Sequence, residues 1–293
     1  VNKLDPNVLF ARIVSDIPAE LHEYLFVTGS LAAAYHFQAQ LEGRAVNTKD
    51  ADLVVHPAGN VTSCRGMAEK LLGTGWVRTE DCYPRRTPQP EDELRAIRLY
   101  PPNSDDYFIE FLNLPDRDQQ TPKRWHPIEL SDGWYGLPSF RFMALTSVGR
   151  LRSDVGLEYA APPMMALSNL LSHPEVGRTR IESGAMKGTL RSAKDLGRVL
   201  ALAVLAGRDE TAAWTEQWLA GLKQCFPDEW KLLAAQAGRG LRELLGDEAA
   251  LDEARGTTDI GLLSGRNTTS QQLRIAGERL LVDVIEPLEQ AAS

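Results

Sequence analysis

Cysteine is scarce and scattered in this chain: Cys64, Cys82 and Cys225 are its only three, and no two form a C-x-x-C pair. That pattern excludes a zinc ribbon and a disulfide framework and fits a reducing compartment. The five histidines, His22, His36, His56, His126 and His173, lack metal-ligand spacing. No apolar run is long enough to cross a bilayer as a helix, and no basic-then-apolar signal pattern opens the sequence. A cytoplasmic protein without a membrane partner is therefore expected. Internal repeats and long low-complexity tracts are absent. Positive charge is in deficit, 32 Lys and Arg against 40 Asp and Glu, for a net charge of −8. This balance argues against a tight non-specific grip on nucleic acid and leaves room only for local basic patches.

What remains is an ordinary soluble composition, 43% hydrophobic and 25% charged over 293 residues, enough for one large or two ordinary domains. Residues 6–24 carry apolar side chains at helical intervals, with Asp5 placed to cap and Pro6 suited to the first turn. Residues 61–72 repeat a helical pattern. Residues 76–79, 94–100 and 107–112 predict strands, the last two joined as a hairpin through Pro101 to Asp106. A loop over 83–92 and short edge strands at 128–130 and 140–142 complete this half. The texture changes at Ala160-Ala161-Pro162-Pro163. Beyond it, residues 164–171, 192–206, 211–222, 229–245 and 270–288 show three-four spacing and predict helices only. Two domains follow, 1–157 and an all-helical 158–293.

The chemistry concentrates in two short stretches. The first runs Leu25-Phe26-Val27-Thr28-Gly29-Ser30 and then Leu31-Ala32-Ala33-Ala34-Tyr35: a short buried strand, a tight turn and the opening of a helix. Glycine there lets backbone approach a ligand, and a helix start offers N–H groups to an anion. A plain strand-turn-helix capped by Ser30 reads the same residues without a ligand. The second stretch is Asn47-Thr48-Lys49-Asp50-Ala51-Asp52-Leu53-Val54-Val55. On a strand, Asp50 and Asp52 share one face. Two like charges at roughly 5 Å cost on the order of 1 kcal/mol in water and more where water is thinned. Mg²⁺ or Mn²⁺ relieves that repulsion through hard oxygen ligands and substrate phosphates. Polar residues precede the pair and apolar ones follow, so the pair opens its strand; a strand that merely begins with solvated acids is the plain alternative. Glu110, charged within an apolar strand, needs a partner, either a metal or Arg95 or Arg98. Lys49 is read as pointing away from both aspartates.

These stretches together resemble the core motif of the DNA polymerase β-like nucleotidyltransferases, in which an apolar strand and Gly-Ser lead into a helix and Asp-x-Asp opens the next strand. Within that superfamily, Thr48 to Asp52 is most similar to the minimal nucleotidyltransferase toxins of the AbiEii and MenT groups. The resemblance implies an α+β fold with a mixed sheet flanked by helices, followed by an all-helical domain. It implies metal-dependent transfer of a nucleoside monophosphate from an NTP to a hydroxyl or amine. Asp50 and Asp52 would hold Mg²⁺ or Mn²⁺, Glu110 would be the third carboxylate, and Gly29 and Ser30 would seat phosphates. In the basic run Arg178, Arg180, Lys187, Arg191, Lys194 and Arg198, the resemblance directs Arg191 and Lys194 toward the triphosphate; a solvated helix face is the other reading. Ser168 stands where the family carries a lysine. The link from Ser30 to Asp50 exceeds the family pattern and is read as an extended helix and loop over 38–46. A tRNA end, a protein side chain or a small molecule would be the acceptor, and a cognate antitoxin the partner in a toxin-antitoxin or phage-defence role. The rival is a core of the same fold that only binds or regulates; a weaker rival is a nucleotide-sugar transferase.

Overall fold

A computed structural model describes residues 5–41, 50–87, 94–176, 179–182 and 186–293. Helix α1 (Pro6–Asp16) is capped by Asp5, whose carboxylate accepts the Asn7 N–H at 2.9 Å. The sequence pattern carries this helix to Tyr24, but it ends at Asp16. Pro18 forces Ile17 into extended backbone, φ −94° and ψ 132°, and only a 3-10 turn over Ala19–Tyr24 follows. Strand β1 (Leu25–Thr28) leads into α2 (Gly29–His36), then come β2 (Asp50–Val55), α3 (Val61–Gly73), β3 (Val77–Arg78), β4 (Arg98–Tyr100) and β5 (Phe108–Asn113). Helix α2 stops at His36 rather than extending through residue 38, and residues 37–41 form turns. Lys49 and residues 42–46, part of the expected extension, lie outside the described residues, as do residues 88–93 of the expected loop.

Strands β6 (Lys123–Leu130) and β7 (Gly133–Phe140) pair with each other as a two-stranded sheet, so the expected edge strands are a separate hairpin. Residues Arg141–Ser147 turn as a 3-10 helix where a strand through Phe142 was expected. Two short strands, β8 (Leu151–Arg152) and β9 (Glu158–Tyr159), complete the main sheet, whose order is β3-β4-β5-β2-β1-β9-β8. The sheet is mixed: β2 runs parallel to β5 and β1 parallel to β9, and the other pairs are antiparallel.

One face of the sheet is apolar. Val27, Ala51, Leu53, Val55, Leu99, Ile109 and Phe111 are all within 1% of full burial, and each large one contributes about 1.5–3 kcal/mol. Phe10 of α1 stacks on Tyr35 of α2 at 4.2 Å and meets Tyr159 of β9 edge-on at 6.0 Å, and the Tyr35 hydroxyl accepts the Asp154 N–H. This apolar layer fixes the opposite face, where the charged residues lie.

The rest of the chain is helical: α4 (Pro162–Val176), α5 (Arg191–Thr211), α6 (Trp214–Cys225), α7 (Trp230–Gln236), α8 (Arg239–Gly246), α9 (Glu248–Ile260), α10 (Ser270–Leu280), a π turn over Leu281–Ile285, and α11 (Glu286–Ala292). Trp214 and Trp218 are fully buried with rings 5.7 Å apart, and the Trp218 indole donates to the Pro163 carbonyl at 2.8 Å. The expected single helix over 229–245 is two, divided at Gly238. A β-carbon on Gly238 would meet Glu289 Oε1 at 2.7 Å and Ile285 at 2.8 Å, so this backbone runs hard against the C-terminal helix. Glu289 accepts the Gly238 N–H at 3.1 Å and both Arg242 Nη atoms, at 2.7 and 2.6 Å. Helix α9 fills a stretch that periodicity left unassigned.

Two compact units result among the described residues. One draws on Val1–Tyr35 and Asn47–Ala160, the other on His36–Val46 and Ala161–Ser293. Residues 36–41 fall in the second unit, which a single linear boundary does not express.

Each unit contains one histidine held neutral by its surroundings. His56 and His173 are both lowered to about 4, first by burial; Arg150 adds to this at His56, while at His173 Glu243 opposes it and Arg239 adds to it. The His56 Nε2 is buried without a hydrogen-bond partner, so a proton there gains nothing. Because the unfolded chain binds protons from about pH 6.5 downward and the folded chain only near 4, stability is full above 6.5 and declines as pH falls between these values. His173→Gln should flatten part of that decline in urea titrations across the window. An unchanged slope would remove His173 as a cause.

Candidate active site

Register alone gathers the site. Strand β2 pairs with β5 so that Asp52 stands opposite Glu110 and Asp50 opposite Phe108, and pairs with β1 so that Thr28 stands opposite Asp52. Strand β4 sets Arg98 opposite Glu110. Paired residues on neighbouring strands project to the same side, so Arg98, Glu110, Asp52 and Thr28 form one polar row across four strands, with Asp50 two residues along β2. Successive members stand about 5 Å apart at Cα. The apolar residues of the same strands project the other way, which prevents a one-residue slip from hiding the charges without exposing the core.

Gly29 closes the row. It opens α2 at φ +72°, a conformation that L side chains rarely adopt, and a β-carbon there would collide with Asp52 Oδ2. The Asp52 carboxylate thus lies directly on the turn between β1 and α2, where a β-carbon would meet both an unfavourable backbone conformation and the Asp52 oxygen. Ser30 follows as the second residue of the helix and is partly exposed.

Glu110 is paired. Its Oε2 accepts from Arg98 Nε at 2.8 Å, and Arg98 Nη1 donates to Asp81 Oδ2 at 2.5 Å. Asp81 is in turn held by the Thr79 hydroxyl at 2.6 Å. The Glu110 side chain is only 14% exposed, whereas Asp81 is 61% exposed, so the chain of contacts runs from solvent into the sheet. Burial pushes the Glu110 carboxyl up; Arg98 opposes that, Asp50 adds to it by repulsion, and Lys123 opposes it. Burial also raises Asp81, but the Thr79 hydroxyl and Arg98 outweigh it and hold the group below the usual carboxylate range. Of the two arginines named as alternatives from sequence, Arg98 takes Glu110, while Arg95 donates to the Tyr83 hydroxyl at 3.1 Å.

Among the described residues, no three His, Cys, Asp or Glu side chains are grouped so as to hold a metal ion. The donor set that fits one is the pair Asp50 and Asp52, with Asp52 seated on the glycine turn; Mg²⁺ commonly takes one or two carboxylates and completes its shell with water and phosphate. Lys194 and Arg191 lie in the first turn of α5, in the other unit, beside Asp195. Burial raises the Asp195 carboxyl to about 6 against the pull of Arg198, Lys194 and Arg191. The start of α5 already has a carboxylate, since Glu253 accepts the Leu190 N–H at 2.8 Å. Asp81 and Lys123 were missed by sequence reading, and Thr28 was named within the first stretch without a role of its own. Only strand register could have singled out Thr28, and Lys123 belongs to a hairpin that was not foreseen.

The strand order and the charged row define an α+β protein whose mixed sheet presents aspartates beside a glycine turn, followed by a helical unit. No family profile and no curated protein matches the chain. Among solved structures, the STING-associated CdnE c-di-GMP synthase from Capnocytophaga granulosa is similar at 12% identity, over 99% of this chain and 83% of that one, with a TM-score of 0.26.

Proposed function

We propose that the protein is a metal-dependent nucleotidyltransferase that moves a nucleoside monophosphate from an NTP to an acceptor hydroxyl or amine. The observation that carries this reading is the register that lines Asp50, Asp52 and Glu110 on one sheet face beside Gly29. Asp50 and Asp52 would hold Mg²⁺ or Mn²⁺. When bound, the cation supplies neutralisation of the triphosphate and alignment of its α-phosphorus. Gly29 and Ser30, at the start of α2, would present backbone N–H groups to the phosphates. Thr28 lines the same row opposite Asp52. Glu110, near the carboxylate pair and raised by burial, would take the acceptor's proton.

The test uses each of four α-labelled NTPs with Mg²⁺ and the full chain, offering RNA, protein and small-molecule acceptors. Label transfer that depends on Asp50 and Asp52 is the expected result. Absence of transfer together with no Mg²⁺-NTP thermal shift would remove the reading. The Arg98–Glu110 ion pair favours a second one, a nucleotide-binding protein without turnover, for which Mg²⁺-NTP raises the melting temperature while no label moves.

A further inference from the structure

We propose that Arg98 and a divalent cation compete for Glu110, the guanidinium being a built-in cation that holds the third carboxylate out of the metal site. The inference rests on the metal role proposed for Asp50 and Asp52. Three observations carry it. Arg98 lies on the same sheet face as the three carboxylates, on the strand next to Glu110, and meets Glu110 Oε2 at 2.8 Å. It is fixed from its other side by Asp81 at 2.5 Å, itself fastened by Thr79, and its guanidinium lies 5.7 Å from the Phe108 ring centroid, so its position is determined by several contacts. Finally, Glu110 stands opposite Asp52 across β2 and β5, so its carboxylate shares a sheet face with both aspartates.

The physical consequence is direct. A guanidinium in hydrogen-bonding contact neutralises a carboxylate and repels a second cation approaching the same oxygen atoms. Removing the positive charge leaves Glu110 available to Asp50 and Asp52 as a further ligand. The site as it stands therefore binds its cation weakly through two carboxylates, and Arg98 sets that weakness. Asp81, outside the row, holds the guanidinium from its other side and so keeps it against Glu110.

The test is Mn²⁺ binding, followed by calorimetry and by the Mn²⁺ resonance signal, without nucleotide. Arg98→Met should bind Mn²⁺ about tenfold more tightly than the parent, the effect expected when a cation adjacent to a ligand is lost. Arg98→Lys, which keeps the charge, should bind like the parent, and Arg98→Met combined with Glu110→Gln should lose the gain. Equal affinity of the parent and Arg98→Met, or a gain that survives Glu110→Gln, would each overturn the proposal. Should the parent bind Mn²⁺ through Asp52 while Arg98→Met leaves affinity unchanged, only the competition fails. If neither protein binds Mn²⁺, the metal reading fails with it.

Discussion

Asp52→Asn is expected to lower nucleotidyl transfer by about a thousandfold or more while leaving the fold as stable as before or slightly more so. The first part follows from charge. A carboxylate that anchors a cation against a triphosphate supplies several kcal/mol of charge stabilisation, and an amide of the same shape supplies little. The second part follows from repulsion, because Asp50, Asp52 and Glu110 share one face and Asp50 already helps to push the Glu110 carboxyl up. Removing one negative charge relieves the others. Label transfer and urea midpoints measured on the same preparation separate the two effects. A variant that loses stability and activity together would mark Asp52 as structural, and one that keeps full transfer would end its catalytic assignment.

Gly29→Ala should damage both the stability of the first unit and the seat of the Asp52 carboxylate. The positive φ at +72° costs an alanine about 1 kcal/mol or more, and the added carbon then displaces the Asp52 carboxylate. A stability loss of about 1–3 kcal/mol is expected in urea unfolding, together with a drop of tenfold or more in Mn²⁺ affinity. Gly59 provides the internal control. Its φ is +73°, but a β-carbon there meets nothing within 4 Å, so Gly59→Ala carries the backbone cost alone. The difference between the two variants isolates the overlap with Asp52. Equal losses of stability, with Mn²⁺ affinity untouched in both, would refute the close seating of that carboxylate on the turn.

The strands that carry the charges were legible because alternation and burial coincide. Asp50 and Asp52 flank Ala51, and Glu110 sits between Ile109 and Phe111, so the side-chain period of two put each carboxylate on the face away from the core. The antiparallel partnership of β4 with β5 was also within reach, since a turn joins them directly. The parallel pairing of β2 with β5 was not, because no local signal states which distant strand lies beside which. It is this pairing that places Glu110 next to Asp52. The β6–β7 hairpin escaped notice for a different reason: Pro127, Gly136 and Pro138 interrupt its strand pattern, and a two-stranded ribbon outside the main sheet tolerates them. The C-terminal helices announced themselves by three-four spacing, whereas the break at Gly238 depends on how closely the last helix approaches. The expectation that α1 would reach Tyr24 overlooked a single proline.

The parallel junction of β2 and β5 also has a consequence in time. Asp52 leaves the ribosome long before Glu110, and the intervening strands and helix cannot substitute for the missing neighbour. Pairings of such long sequence separation form late, after costly loop closure. A nascent or truncated chain ending before Phe108 would carry both aspartates and the glycine turn yet lack Glu110, so the polar row assembles only once synthesis has passed β5.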